Sequence, residues 1–220
     1  MYVPAHFEET DIAVLHALMR AHPLGTWVTQ DRGEPAGELL INHIPFVLDD
    51  SAGGFGLLRG HVARANPVWR SLAERPSVVV FQGPQAYITP SWYAAKREHG
   101  KVVPTWNYAV VHAHGVPRAI EDRDWLLDLV SKLTDTHESH EAVPWKVTDA
   151  PPEYVDAMLR AIVGIEIPIT RLEGKWKASQ NRPAADREGT VEGLHSRGDD
   201  ASLTMAALVG RAAGHKAGND

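Results

Sequence analysis

From Thr26 to Val62 the chain is cut into short apolar runs, Thr26–Thr29, Glu38–Leu48 and Gly54–Val62, separated by turn residues at Asp31-Arg32-Gly33 and Asp49–Gly54. Runs of this kind between Gly- and Asp-rich breaks read as β-strands. The connections Thr29–Glu38 and Leu48–Gly54 are hairpin-length. Antiparallel pairing follows, because a parallel pair needs a crossover of a dozen residues or more. Within Leu39–Leu48, the side chains of Leu40, Ile44, Phe46 and Leu48 share parity, so one strand face is largely apolar. Ser77–Phe81, Ala86–Thr89, Tyr108–Ile120 and Gly164–Leu172 read as further strands.

Helices interrupt this pattern. Thr10 and Asp11 cap a first helix to about Ala21, with Ile12, Leu15, Leu18 and Met19 on one face. Asn66-Pro67 starts a second, running to Glu74, with Asn66 as cap and Pro67 at the first helical position. Asp122 opens a third, carrying Trp125, Leu126, Leu129, Val130 and Leu133, and Pro151-Pro152 leads a fourth through Tyr154, Met158 and Ile162. The expected class is mainly β with α-helical decoration (α+β), a small antiparallel barrel. No GxGxxG follows a strand and no GxxxxGK[ST] occurs, which disfavours nucleotide-binding α/β folds. After Asn181 the composition shifts to Ala, Gly, Asp and Arg, so residues 1–194 are read as one domain and 195–220 as a flexible low-complexity tail.

Composition excludes several functions. Lys and Arg number 22 against 28 Asp and Glu, a net charge of −6, which argues against a broad phosphate-binding surface. Cysteine is absent, so disulfides, thiolate metal sites, Fe–S clusters and a Cys nucleophile are ruled out together. Met1–Thr10 has neither a basic n-region nor an apolar h-region, and no stretch approaches the roughly 20 apolar residues of a membrane span. A cytoplasmic location without membrane contact is the default expectation.

Three segments can carry chemistry. In Gly60–Pro67 (GHVARANP) a strand ends and a helix begins, where free backbone N–H groups and the helix dipole favour an anion. Arg64 adds a forked donor suited to phosphate, and His61 a further one. On that segment alone, a capped helix with an exposed arginine is the preferred reading. Phe81–Tyr93 (FQGPQAYITPSWY) and Val103–Tyr108 (VPTWNY) form aromatic, amide-rich loops suited to a flat heteroaromatic ligand, and equally to a satellite hydrophobic cluster. Gly174–Arg182 (GKWKASQNR) combines cations, a hydroxyl and two amides after an apolar strand, which fits half of a phosphate site or a solvated basic loop.

Metal readings are weaker. His137 and His140 are three residues apart, not the four of HExxH, and lie in a polar segment. His112 and His114 share a strand face, but no further ligand is placed in sequence to complete a site. No metal is expected.

Six motifs taken in order are similar to a known family. They are the opening MYVPAHF, NHIPFVL at Asn42–Leu48, GHVARANPVW at Gly60–Trp69, FQGPQAYITPSWY at Phe81–Tyr93, VPTWNY at Val103–Tyr108 and GKWKASQNR at Gly174–Arg182. Together they resemble the PaiB-type proteins, the FMN-binding negative transcriptional regulators, over roughly Met1–Leu194. The resemblance implies an FMN-binding split barrel, a homodimer with flavin near the subunit interface. It implies that Arg64 contacts the flavin phosphate, supported by His61 and Asn66 of the same motif, with Lys175 or Lys177 and Ser179, Gln180 and Asn181 as second contributors. Asn42, His43 and Ile44 would run along the isoalloxazine, with Trp92, Trp106 and Asn107 arriving from either subunit.

The family's regulatory designation implies DNA, yet no helix-turn-helix is evident. The helix from Asp122 has Glu121, Asp122, Asp124 and Asp128 against Arg123 and Lys132, a charge that a phosphate backbone repels. Direct operator binding is disfavoured and an indirect regulatory effect preferred. The alternatives are a direct DNA-binding repressor with flavin as sensor, and a flavin oxidoreductase or haem-binding enzyme on the same barrel.

Overall fold

The computed structural model describes residues 1–31, 37–72 and 75–214. The expected Asp31-Arg32-Gly33 turn and the Glu74 end of the second helix lie outside them. In chain order the elements are β1 (Glu8–Glu9), α1 (Ile12–Ala21), β2 (Leu24–Gln30), β3 (Leu39–Pro45), β4 (Val47–Asp49), β5 (Leu57–Ala63), β6 (Ser77–Ile88), α2 (Ala94–Glu98), β7 (Thr105–Gly115), β8 (Arg118–Ile120), α3 (Arg123–Glu138), α4 (Pro152–Arg160), β9 (Ile162–Lys177), α5 (Ala184–Arg197) and α6 (Asp200–Gly214). The sheet order is β3-β2-β6-β7-β9-β5-β4, with β1 and β8 also pairing to β9. Every register recorded between these strands is antiparallel. The α+β antiparallel expectation holds.

The chain divides into two compact units. The first comprises Met1–Leu15, Gln82–Val111 and Glu173–Asp220, and the second His16–Phe81 and His112–Leu172. In the second unit, β2 pairs β3 from Leu24↔Pro45 to Gln30↔Leu39, and β5 pairs β9 from Leu57↔Pro168 to Ala63↔Ile162. Strand alternation buries Trp27, Ile44, Leu58, Val62, Val79 and Phe81. The ring of Trp125 lies on Gly164, where an added Cβ would stand 2.3 Å from it. Trp125 therefore fills a helix face, as its spacing with Leu126 and Leu129 predicts. The third helix is capped as expected, with Asp122 Oδ1 accepting from the Trp125 N–H at 2.8 Å.

In the first unit, α5 and α6 pack over Ala86, Ile88, Tyr93, Ala178, Leu194, Met205, Ala206 and Val209. Leu194, Met205 and Val209 are fully buried, so the expected flexible tail is corrected to an ordered helix as far as Gly214. Met205, Leu208 and Val209 share one face of that helix, with Ser202 and Ala206 beside them, while Leu203 is exposed. Gly198 supplies the turn between α5 and α6 at φ 74°, a left-handed cap that glycine adopts freely.

Three other boundaries move. Ser77–Phe81 and Ala86–Thr89 are one strand, because Gly83-Pro84 does not break β6 but only shifts its buried-exposed alternation by a residue. Thr105–Tyr108, expected in a loop, opens β7, and Gly174–Lys177 continues β9 through pairing with β1 at Glu9↔Gly174 and Glu8↔Lys175. The helix begun at Asn66-Pro67 is a single 3-10 turn, Pro67–Arg70.

Candidate functional site

The second unit holds the NHI and GHVARANP segments. On β3, Asn42 and Ile44 share the inner face, Ile44 being core, while His43 is exposed on the other. The three cannot run together along one face of a ligand, because successive strand side chains point oppositely. Asn42 Oδ1 accepts from Asn66 Nδ2 at 2.7 Å, and Asn66 Oδ1 accepts from the Val68 N–H at 3.0 Å. Asn66 is thus the cap its sequence predicts, with both amide ends committed.

Arg64 is committed as well. Its Nε donates to the Arg160 carbonyl at 2.7 Å, Nη2 to the Ile162 carbonyl at 3.1 Å, and Nη1 to Glu121 Oε2 at 2.5 Å. Without a ligand, the chain's own carboxylate occupies the forked donor of Arg64, and the one-turn helix beside it adds little dipole. His61 lies half-buried on β5, its Nδ1 without a partner among the described residues, and burial lowers its pKa. A cleft of about 290 Å³ beside Arg64 is lined by Glu121, Arg123, Asp156 and Arg160, with Arg123 Nη2 paired to Asp156 Oδ1 at 2.6 Å. Basic and acidic groups there answer one another.

The first unit holds the aromatic and SQNR segments. Trp92 sits in the 3-10 turn Pro90–Trp92 and is gripped by α5: a Cβ on Gly193 would come within 2.2 Å of its ring, and Arg197 lies 4.6 Å from the ring centroid. Within the protomer this role is packing. Trp106 is 54% exposed and meets Tyr87 edge-on at 6.0 Å. It stands opposite Thr105 and Asn107 on β7, so it faces away from whatever those two contact.

Thr105 and Asn107 face a different feature. With Lys177, Ser179, Asn181, Arg182 and a wall from Phe7, they enclose a cavity of about 60 Å³. The loop after β9 shapes it. Ser179 has φ 62°, a left-handed conformation rare for a non-glycine residue, and the Arg182 N–H closes on the Ser179 carbonyl at 3.0 Å. Gln180 is the brace of this turn, its Oε1 accepting from the Ala178 N–H at 2.7 Å and its Nε2 donating to the Trp176 carbonyl. Gln180 is therefore an internal staple of the loop. Lys175 is also turned elsewhere, donating to the Tyr2 carbonyl at 3.0 Å and lying over the Tyr2 and Tyr108 rings.

Within the cavity, Asn107 is 1% exposed, donates Nδ2 to Ser179 Oγ at 2.9 Å, and leaves Oδ1 without a partner among the described residues. Lys177 Nζ donates to Thr105 Oγ1. Burial first, and then the like charges of Lys175 and Arg182, hold the Lys177 ammonium below its usual range. Among the described residues, no carboxylate lines the space. Thr105 is the member that sequence reasoning missed, while Arg182 belongs to the SQNR segment it singled out. A hydroxyl two residues before Asn107 on the same strand parity was the available signal for Thr105.

These features belong to a flavin-binding split barrel. Residues 1–171 match the family described as "Putative FMN-binding domain", and the chain belongs to that family. The PaiB-type resemblance holds too. The chain is 31% identical to protease synthase and sporulation protein PAI 2 of Bacillus subtilis, across 95% of this chain and 96% of that protein. An uncharacterized protein of Emericella nidulans is 36% identical over the same shares of the two chains. Among solved structures, the flavocytochrome Anf3 of Azotobacter vinelandii shares the fold with a TM-score of 0.56 and 12% identity, covering 80% of this chain and 72% of that one. No helix among the described residues is long and apolar enough to cross a membrane.

Proposed function

We propose that this chain is a cytoplasmic FMN-dependent flavoprotein that works as a homodimer and affects transcription only indirectly. One observation supports the homodimer: an uncovered apolar sheet face in the second unit. Leu39 and Ile41 on the edge strand β3 are 70% and 59% exposed. The register sets Ile41 across from Val28, and Val28 across from Val78, with Thr26 across from both His43 and Val80. These residues share one face, and none of them is Asp, Glu, Lys or Arg. A patch of this kind on a monomer favours association, and a second copy meets it without like-charge repulsion.

The donor set of the first unit fits FMN: the amide N–H2 of Asn107, two hydroxyls and two cations can receive a phosphate. Bound flavin supplies the electron chemistry, while the protein sets its orientation and electronics. We retain His43 and Trp106 as ring contacts, because both are exposed, and Asn107, Lys177, Ser179 and Asn181 as polar contacts. Against direct operator binding stands α3, where Arg123 pairs with Asp124 and Asp156 and Lys132 with Asp128, leaving its remaining charge acidic.

Titrating the purified chain into micromolar FMN is expected to quench flavin fluorescence saturably, at one flavin per protomer. No saturable change contradicts the flavin role. Light scattering is expected to give a dimer that Ile41→Asp converts to a monomer, and a wild-type monomer contradicts the assembly.

A further inference from the structure

In the first unit the opening segment MYVPAHF lies over the end of β9 without joining the sheet. Among the described residues, Met1–Phe7 belongs to no strand, and pairing starts only at β1, where Glu8 faces Lys175 and Glu9 faces Gly174. Met1, Tyr2, Ala5 and His6 are exposed, Val3 and Pro4 are half-buried, and Phe7 alone is buried. Two side chains of β9 clasp the outer end. Lys175 Nζ donates to the Tyr2 carbonyl at 3.0 Å and lies between the Tyr2 and Tyr108 rings, 5.6 and 5.5 Å from their centroids. Glu173 Oε1 accepts from the Met1 ammonium at 3.0 Å.

The one buried residue of this segment is also a wall of the cavity. Thr105 and Asn107 come from β7, Lys177 ends β9, and Ser179, Asn181 and Arg182 follow it; Phe7 is the only lining residue from elsewhere in the chain. Behind Phe7, Asn107 and Ser179 are 1% and 4% exposed. The two sides of the cavity differ in how firmly they are held. Gln180 braces the Ser179 loop from within by two hydrogen bonds. The opposite side rests on one buried ring, two register positions and the clasp at Tyr2. Segments with so few buried contacts open locally at a fraction of the cost of global unfolding, and active-site lids are drawn from them. The movement has a fixed end. Glu9 Oε1 accepts from the Asp11 N–H at 2.9 Å, and Asp11 Oδ1 from the Ala13 N–H at 2.8 Å, which ties the chain to the start of α1.

We propose that Met1–Phe7 is a lid on this cavity, with Phe7 as the part that shuts it and Lys175 as the latch. The lid opens by peeling from β9 as far as Asp11, while the Ser179 loop stays in place. Lys175 therefore acts on the cavity without lining it: it holds Tyr2, and through Tyr2 the position of Phe7. The lid controls the rate at which the cavity is entered and left, whatever its occupant. Where it meters FMN, the inference rests on the flavin reading above.

The chain has no cysteine, so an introduced thiol reports on its own site alone. Ser179→Cys places one inside the cavity, and Thr105→Cys is a second reporter there should the first not fold. Thr190→Cys is the control, since Thr190 is fully buried on α5 and lines no part of the cavity. Alkylation of the full-length protein by iodoacetamide is followed by mass. Losing the charged hydrogen bond in Lys175→Met is expected to speed labelling in the cavity about 10-fold. Losing only the exposed cation–ring contact in Tyr2→Ala is expected to speed it about 3-fold. Labelling of Thr190→Cys is expected to change by neither. Removing a nearby cation would by itself raise the thiol pKa and slow alkylation, so acceleration in Lys175→Met reports access. Equal acceleration at Thr190→Cys shows a general loosening and overturns the lid, as does a cavity thiol whose rate ignores both substitutions. A second arm follows FMN by stopped flow, where Tyr2→Ala is expected to raise association and dissociation rates together, with Kd changing less than about 2-fold. A weaker Kd at an unchanged association rate makes the segment a fixed wall and overturns the proposal. Absence of FMN binding overturns the flavin reading and leaves the lid to be decided by the labelling rates.

Discussion

Two basic sites in this molecule look alike in sequence and differ in chemistry. At the Arg64 junction of the second unit, the guanidinium is answered by Glu121 and two backbone carbonyls. Among the described residues of the first unit, Lys177 and Arg182 line a cavity that holds amides and hydroxyls but no carboxylate. The first arrangement ties β5 to the turn between α4 and β9. The second leaves charge available to a ligand. A cation marks a binding site only where the fold withholds its counter-charge, and a motif alone cannot reveal whether it does.

The contrast can be broken in graded ways. The largest stability effect is expected from Gly193→Ala, because its new Cβ meets the Trp92 ring at 2.2 Å. Overpacking of that kind costs about 1–3 kcal/mol. Trp92 adjoins Tyr93, which shares a cluster with Ala178 at the base of the Ser179 loop. A lower melting temperature should therefore come with weaker FMN binding. Loss of stability with unchanged FMN affinity would separate the helical hairpin from the pocket.

Arg64→Ala is next. It leaves two carbonyls and a carboxylate without their donor, at a cost of about 1–2 kcal/mol in chemical denaturation. Its ratio of FMN to riboflavin affinity is expected to stay at the wild-type value. Glu121→Gln frees the same guanidinium of its counter-charge. Both groups are substantially solvent-exposed, so its cost is below about 1 kcal/mol. Weak binding of inorganic phosphate gained at this junction would sharpen the rule that the counter-charge decides.

The smallest expected effect concerns pH. Burial lowers the pKa of His61, so the unfolded chain takes up a proton that the folded one resists. Its contribution is present above pH 6.5, the ordinary histidine value, and is lost as pH falls through the lower folded value. Melting curves from pH 7.5 down to pH 5 should show a loss that His61→Gln reduces, whereas the FMN to riboflavin ratio does not change with the substitution. An identical acid slope in the variant contradicts the burial argument.

Much of the fold was legible because its signals are local. Asp122 and Asn66 cap where their spacing says, and the hairpin-length connections gave antiparallel pairs. The failures came from reading local breakers as absolute. Gly83-Pro84 passes through β6 with only a change of phase, and α6 is made of small residues that become helical once they pack on α5. The site was less legible, since its decisive contacts are distant in sequence. Glu121 lies 57 residues from Arg64, and Asn107 lies 72 from Ser179. Strand parity, which marks the apolar face of Leu39–Leu48, equally separates Trp106 from Asn107, and His43 from Asn42 and Ile44.

The most direct test sets the two basic sites side by side by isothermal titration of FMN and riboflavin into wild type, Arg64→Ala and Lys177→Met. The predicted result is a strong FMN preference in the wild type that persists in Arg64→Ala and collapses in Lys177→Met. A preference that persists in Lys177→Met and collapses in Arg64→Ala would contradict the account, by placing the phosphate at the junction whose charge the protein already neutralises.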